Sequence, residues 1–170
     1  MPAEMSDRIE VTRAIAAEPA AIFAVLRSPD GHVAIDGSGM LMAASGQSAS
    51  AVGDRFVVHM DREALNDYPI GLYDVTIEFV AYEQDREIAW TIVLPSMENQ
   101  IGHVYGYRLE PIDGGTIVTE YYDWSAISDE IRSAGIFPVV PESALRATLG
   151  ILARTVAPGR PRPGAPTTTL

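Results

Sequence analysis

The stretch from Tyr105 to Trp124, YGYRLEPIDGGTIVTEYYDW, decides the fold of this 170-residue chain. Apolar and polar residues alternate on both sides of the turn signal at residues 113–115, which is typical of two antiparallel strands. A two-residue loop here sets odd positions of the first strand opposite even positions of the second. If Tyr107 faces inward, Glu120 therefore does as well, whereas a loop one residue longer would turn Glu120 outward.

Strand patterns continue on the N-terminal side of this hairpin. A turn at residues 83–86 gives the same pairing rule, so we expect Phe79 opposite Trp90 and Ile77 opposite Ile92. Successive strands joined by short turns favour an antiparallel sheet over a parallel one. The predicted strands span residues 9–15, 40–44, 55–60, 72–82, 87–94, 101–111 and 116–124.

Helical patterns stand at two places. A short helix is predicted over 18–26, where a proline stands at a favoured first position and an apolar stripe follows, and a second short helix or turn is predicted over 30–35. A long helix is predicted over 142–157, where Leu145, Leu149 and Leu152 recur at helical spacing. The predicted fold class is α+β, a helix-grip arrangement in which a curved antiparallel sheet of about six or seven strands wraps around the C-terminal helix.

The predicted domain organisation is one domain over residues 1–157 and a flexible tail over 158–170. The tail is rich in proline and glycine, which is typical of segments that do not fold by themselves. The first eleven residues lack a basic start followed by an apolar stretch, and we therefore expect no secretory signal and a cytoplasmic location. We also expect no membrane span, because no apolar run approaches the roughly 20 residues that a span needs.

Composition excludes several classes of chemistry. The formal net charge is −11 and every basic residue is arginine, so nucleic acid is not an expected partner and a Schiff-base lysine is impossible. Cysteine is absent, which excludes disulfides and thiolate ligands. The three histidines show no metal-ligand spacing, and the sequence contains no phosphate-binding loop or dinucleotide fingerprint. We therefore expect no metal and no cofactor.

The predicted inner face of the sheet is aromatic and carries two ionisable groups, His103 and Glu120. Three inward tyrosine hydroxyls require three partners or a wet pocket, and this favours a cavity over a filled core. An ordinary core of aromatic residues remains the alternative. The predicted ligand-binding residues are Phe56, Tyr73, Ile77, Trp90, Ile92, His103, Tyr105, Tyr107, Glu120, Tyr122, Trp124, Leu145, Leu149, Leu152 and Arg13.

Five polar residues have open roles. Glu120 and His103 are the candidate catalytic groups, as a base for enolisation in a dry cavity. Arg13 shares the parity of the apolar positions of its strand, and it either pairs with an inward group or reaches solvent at the end of the sheet. His32 and Asp36 either edge a cavity mouth or lie in an exposed loop.

From about Ile9 to Ala157 the chain resembles the SRPBCC superfamily, also called START-like or Bet v 1-like, in its bacterial polyketide cyclase/dehydrase-like branch. The resemblance is carried by residues 9–26, the Trp90 strand, residues 107–124 and the helix residues 144–154. It implies a deep hydrophobic cavity under the C-terminal helix that holds lipids, sterols, polyketides, hormones or quinone precursors. These are signatures of a fold, and they assign no catalytic role to a residue of this chain.

Three functional hypotheses follow. The leading one is a binding or transport protein for a bulky hydrophobic or aromatic small molecule, either monomer or homodimer. The second is an enzyme, a cyclase or dehydratase that works without metal or nucleotide cofactor through an inward carboxylate or histidine. The third is a module with a filled core that acts through protein–protein contacts.

Overall fold

The sheet dominates the structure, a computed structural model that describes residues 6–170. Within these residues it has seven antiparallel strands in the spatial order β1-β7-β6-β5-β4-β3-β2. The N-terminal strand therefore pairs with the C-terminal one, and all other neighbours are consecutive in the chain. The strands are β1 Arg8–Ile15, β2 Leu41–Ser45, β3 Arg55–Asp61, β4 Leu72–Glu83, β5 Glu87–Val93, β6 Val104–Ile112 and β7 Gly115–Asp123.

The helices lie between β1 and β2 and at the C-terminal side of β7. Both short helices and the long helix agree with the sequence prediction to within one residue at every end. Two additional elements were not predicted, a short helix after β7 and a 3-10 turn at Glu63–Leu65. The helices are α1 Pro19–Leu26, α2 Pro29–Ile35, α3 Asp129–Ser133 and α4 Glu142–Val156. The predicted fold class is confirmed.

The predicted residue pairs are present in both hairpins, but the loop between β4 and β5 has three residues, and the register shift between Phe79 and Ala81 restores the predicted pairing. Tyr107 stands opposite Glu120 and Tyr105 opposite Tyr122 in the β6–β7 ladder. In the β4–β5 ladder, Ile77 and Phe79 stand opposite Ile92 and Trp90, with an irregularity after Phe79. Because side chains alternate between the two faces of a strand, these registers place Glu120 on the inner face. One predicted strand start is wrong, because β6 begins at Val104 and leaves His103 just before it.

Helix α4 covers one half of the inner face. Its buried residues Leu145, Leu149 and Leu152 are at most 2% exposed, and it packs against β1, β7 and α2. The inner face of β3 to β6 lies farther from the helix axis, beside the helix's N-terminal turns. The uneven cover leaves a space between the sheet and the first turns of α4.

Gly37 joins α2 to the first turns of α4 by direct backbone contact. Its N–H donates to Thr148 Oγ1 at 3.0 Å, and Thr148 Oγ1 in turn donates to the carbonyl of Ala144. A Cβ on residue 37 would lie 2.5 Å from that carbonyl oxygen and 2.6 Å from the backbone nitrogen of Thr148. Only glycine permits this approach of the two backbones.

We expect Gly37→Ala to lower the free energy of unfolding by about 2 to 4 kcal/mol, because a backbone clash separates α2 from α4. Urea unfolding followed by circular dichroism measures this change. The control is Gly53→Ala. Among the described residues no atom lies within 4 Å of a Cβ on residue 53, although the positive φ of 92° at this residue causes a smaller strain of its own. An equal loss in both variants would contradict the proposed contact.

No helix among residues 6–170 is long and apolar enough to cross a membrane. Residues 158–170 contain neither helix nor strand, and Arg162 in this segment lies beside Arg13 of β1. Part of the N-terminal stretch used to predict the lack of a secretory signal, residues 1–5, lies outside the described residues.

Candidate functional site

The space between the sheet and α4 is a cavity of about 380 Å³. Its walls come from α2, from strands β2 to β7, from residues 136–140 and from the first turns of α4. A volume of this size falls in the range of sites for small molecules. The lining residues are His32, Ile35, Asp36, Ser38, Met40, Leu41, Met60, Arg62, Ile70, Tyr73, Val75, Ile77, Trp90, Ile92, Leu94, Ile101, His103, Tyr105, Tyr107, Glu120, Ile136, Phe137, Val139, Val140, Leu145 and Thr148.

Aromatic rings form the central wall of the cavity. Trp90 stacks on both Tyr105 and Tyr107, with 5.9 Å between ring centroids in each pair. Tyr105 stacks in turn on Tyr122 at 4.2 Å and nearly parallel. This order follows from the registers, since residues that stand opposite each other on neighbouring strands bring their rings together. The wall is therefore rigid, flat and apolar over three strands.

Glu120 is a buried carboxyl group on this wall. The Tyr107 hydroxyl donates to its Oε1 at 3.2 Å, and Glu120 is 8% exposed. Among residues 6–170, Oε2 has no hydrogen-bond partner. Burial raises the pKa of Glu120 well above its usual range, and the nearby Asp36 carboxylate raises it further, although the Tyr107 hydrogen bond acts the other way. The neutral acid is the form that this site favours.

His103 is the second buried polar group. Its Nδ1 and the Tyr122 hydroxyl are 2.8 Å apart, and the residue is 4% exposed. Within the described part of the chain, its Nε2 meets no hydrogen-bond partner. Burial lowers the pKa of His103 to about 4, so the imidazole is neutral at neutral pH. It can then serve as one hydrogen-bond donor or acceptor for an occupant, according to its tautomer.

His32 and Asp36 form the wall contributed by α2 and the residue after it. His32 Nε2 bonds with the carbonyl oxygen of Leu26 at 2.7 Å, and burial lowers the pKa of His32 to about 4. Asp36 Oδ2 accepts from the Leu41 N–H at 3.1 Å, and Oδ1 accepts from Ser38. The sequence left open whether these residues edge a cavity or lie in an exposed loop, and the structure places both at the cavity.

Arg62 links three segments of the cavity wall through its guanidinium group. This arginine is 4% exposed, and its Nε and Nη2 donate to the Asp67 carboxylate at 3.0 and 2.7 Å. Its Nη1 contacts Met40 Sδ at 3.1 Å, and its Nη2 lies 3.5 Å from the Val139 carbonyl oxygen. The guanidinium thus connects the segment after β3 with β2 and with residues 136–140.

Nine of the fifteen predicted ligand-binding residues line the cavity, and they are Tyr73, Ile77, Trp90, Ile92, His103, Tyr105, Tyr107, Glu120 and Leu145. Five others lie in the packed core instead, namely Phe56, Tyr122, Trp124, Leu149 and Leu152. Phe56 packs under His32, and Tyr122 is covered by Tyr105. The two leucines lie farther along α4, where the helix rests directly on β1 and β7. These five core residues have the same residue types and sequence spacing as the lining residues, and only their position in the fold differs.

Arg13 lies outside the cavity. It shares the face of Val11 and Ile15 as its parity predicts, but β1 is the edge strand and the arginine is exposed there. Its Nη1 is 3.6 Å from the point where a Cβ on Gly150 would stand, so the side chain passes over α4. Its long stem lets the guanidinium reach solvent, and this corrects the inward placement.

Among the lining residues that sequence reasoning missed are Arg62 and an apolar cluster over residues 136–140. Arg62 follows β3 in a charged segment that is typical of an exposed loop, and its burial depends on Asp67 five residues later. Ile136, Phe137, Val139 and Val140 stand in a segment interrupted by prolines. A signal was present there, because four large apolar residues within five positions are unusual for a solvated loop.

Comparison with solved structures identifies the architecture. A protein of Chromobacterium violaceum superposes with a TM-score of 0.64 at 14% identity, over 91% of this chain and 99% of the other. An AHSA1-like protein from Aeromonas hydrophila gives 0.55 at 19%, covering 88% and 91% of the two chains. The Aha1 dimer from Colwellia psychrerythraea gives 0.58 at 17%, covering 90% and 98%. The chain has the Bet v 1-like, or SRPBCC, fold.

At these identities the likeness to Bet v 1-like structures establishes the fold alone. No family model and no curated protein matches the chain. Among residues 6–170, no three histidine, aspartate or glutamate side chains converge as a metal site would require. What the Bet v 1-like cavity of this chain holds must therefore be argued from its own walls.

Proposed function

We propose that the protein binds or transports a bulky hydrophobic or aromatic small molecule in the cavity beside α4. The observation that carries the proposal is the cavity of about 380 Å³, whose walls are mostly aliphatic and aromatic side chains. The resemblance to Bet v 1-like proteins supports it, because members of that superfamily commonly hold hydrophobic ligands in the corresponding space.

Energetics also favour an apolar occupant. Burying apolar ligand surface contributes about 25 cal/mol per Å², so a ligand of modest size gains several kcal/mol from contact with these walls. The stacked rings of Trp90, Tyr105 and Tyr107 offer a flat surface on which an aromatic ligand gains further contact. The proposal requires no chemistry from the protein.

The test combines two measurements on the whole chain. Native mass spectrometry of freshly purified protein is expected to show a non-covalent adduct that is lost on denaturation. Titration with the uncharged fluorophore N-phenylnaphthylamine is expected to give saturable binding of one molecule per chain, with increased emission. A clean apo mass together with no saturable fluorescence change would contradict the proposal.

A second candidate function is the cyclase or dehydratase of the polyketide branch. The observation in its favour is that a buried neutral acid, Glu120, and a buried neutral imidazole, His103, line one cavity. Enolisation of a β-keto chain needs an acid and a base of this kind. The double variant Glu120→Gln with His103→Asn separates the two functions, since retained binding with lost turnover would indicate catalysis.

The filled-core hypothesis has less support. Its premise was that the inward tyrosines occupy the interior, whereas the structure leaves a cavity next to Tyr105 and Tyr107. Monomer and homodimer both remain compatible with this proposal, since ligand binding requires residues of one chain only.

A further inference from the structure

Two polar residues on the otherwise largely apolar aromatic wall, Glu120 and His103, each keep one buried atom without a hydrogen-bond partner among the described residues, Oε2 and Nε2. A buried polar atom without a partner costs about 1 to 3 kcal/mol, so a site that keeps two of them is poised for an occupant that supplies partners. In the described residues these are the two buried side-chain atoms left without a hydrogen bond. Both belong to residues that line the same cavity.

The two positions lie at different levels of the sheet. Val104 pairs with Asp123, so His103 stands beside the Trp124 level, four residues along β7 from Glu120. At about 3.3 Å per residue this is about 13 Å between backbone positions. The stacked rings of Tyr105 and Tyr122 lie between the two levels. A ligand that bonds with both residues must therefore have an elongated apolar body that rests on the Tyr105 ring.

The hydrogen-bond chemistry at each position follows from its neighbours. Because Glu120 Oε1 already accepts from Tyr107, the proton of the neutral acid falls to Oε2, which then donates to an oxygen of the occupant. His103 Nε2 carries a proton or a lone pair according to how Nδ1 shares its bond with Tyr122. A ligand hydroxyl both donates and accepts, and it suits either tautomer.

The surroundings disfavour a charged occupant. The titratable groups that face Glu120 are Tyr107 of β6 and Asp36 after α2, and a ligand anion would meet repulsion from the latter. Arg62 lines the mouth, but its guanidinium is paired with Asp67. A ligand cation would find the Asp36 carboxylate oxygens already accepting from the N–H groups of Ser38 and Leu41, and the neutral Glu120 and His103 offer it no negative charge.

We propose that the occupant is an uncharged molecule with a rigid apolar body and an oxygen group at each end, one accepting from Glu120 Oε2 and the other bonding with His103 Nε2. This inference rests on the proposed function and specifies the class of its ligand. The two buried polar atoms then select the ligand by both its length and its charge.

The test uses probes that share one apolar body. Biphenyl, para-hydroxybiphenyl and para,para′-dihydroxybiphenyl differ only in the number of hydroxyls, and biphenyl-para-carboxylate and para-phenylbenzylammonium carry a charge. Affinity is measured by displacement of N-phenylnaphthylamine from the wild-type chain. Each hydroxyl is expected to raise affinity about tenfold, and each charged probe is expected to bind about tenfold more weakly than biphenyl.

Two variants assign the effect to its atoms. Glu120→Leu and His103→Phe are each expected to lower affinity for the dihydroxy probe about tenfold, with biphenyl as the internal reference for an intact cavity. Glu120→Gln retains an N–H donor and is expected to keep most of that affinity, and it remains informative if Glu120→Leu does not fold. The matched control is Glu110→Gln, which removes an exposed carboxylate on the same hairpin.

The possible outcomes separate this inference from the proposed function. If neither the fluorophore nor any biphenyl binds, both the proposed function and the inference are overturned. If biphenyl binds but the hydroxyls add no affinity, or a charged probe binds best, the inference alone is overturned. A hydroxyl preference that survives both Glu120→Leu and His103→Phe would also overturn it.

Discussion

Acidification from pH 7 to pH 4 is expected to lower the free energy of unfolding of the Glu120→Gln variant by several kcal/mol, because two buried imidazoles must take up protons. Burial lowers the pKa of His32 and of His103 to about 4, against 6.5 for an exposed histidine. Above pH 6.5 both side chains are neutral in the folded and in the unfolded chain, and they contribute no pH dependence. Between pH 6.5 and 4 the unfolded chain binds protons that the folded chain does not, so stability falls with pH.

The expected loss is about 3 kcal/mol for each imidazole, since one pKa unit corresponds to about 1.4 kcal/mol. Glu120 acts in the opposite direction, because its raised pKa means that the folded chain binds the proton first as pH falls. That gain is complete near the ordinary carboxyl pKa of 4.5, and it is absent in a Glu120→Gln background. Urea unfolding is measured at pH 7, 6, 5 and 4 in the wild type and in the Glu120→Gln variant. In the variant, the measurement reports the imidazole contribution without that of Glu120.

Three variants show which histidines are responsible. His32→Phe and His103→Phe are each expected to flatten the fall in unfolding free energy between pH 6.5 and 4 by roughly half. His59→Gln removes an exposed imidazole on β3, leaves both buried ones in place, and is expected to keep the steep dependence. A Glu120→Gln chain whose stability is unchanged from pH 7 to pH 4 would contradict the burial of these imidazoles.

Ile92→Trp is expected to lower affinity for N-phenylnaphthylamine on the order of a hundredfold, or about 3 kcal/mol. Ile92 lies on β5 opposite Ile77 and lines the cavity, so an indole at this position occupies space that a ligand needs. The protein itself is expected to keep or to gain stability, because the larger side chain fills a void and buries apolar surface. Fluorescence titration and thermal unfolding measure the two effects separately.

Val93→Trp is the matched control for this substitution. Val93 is the next residue of β5, and its side chain points to the opposite face of the sheet. The same change of residue type there is expected to leave fluorophore affinity within twofold of wild type. Unchanged affinity in Ile92→Trp would show that the fluorophore binds elsewhere and would remove the cavity from the proposed function.

Much of the sheet could be predicted because its turns are short and most of its strand residues alternate. The two-residue loop after Ile112 fixes the pair Tyr107–Glu120, whereas the pair Phe79–Trp90 depends also on the register shift between Phe79 and Ala81. The short helix Asp129–Ser133 could not be predicted, because five residues contain too little periodicity to show a face. Its N-terminal signal, Ser128 accepting from the Ile131 N–H at 3.2 Å, is equally common in turns.

The cavity was less predictable than the sheet that forms it. Leu145 and Leu152 lie on the same apolar stripe of α4 and are equally buried, yet only Leu145 lines the cavity. The exposure of Arg13 and the burial of Arg62 are the opposite of what their neighbours in the sequence indicate. Arg13 sits among apolar positions and is exposed, whereas Arg62 sits among charged residues and is buried.

By itself the sequence determined the order of the strands and of the three predicted helices, the β6–β7 register and the inward orientation of Glu120, because these depend on alternation and on turn length within a few residues. It also excluded cysteine and lysine chemistry by composition. Only the tertiary structure decided where the sheet and α4 separate, and therefore which inward residues face a cavity and which fill the core. That separation depends on contacts between residues distant in the chain, such as Gly37 with Thr148 and Arg62 with Val139, which no local pattern encodes.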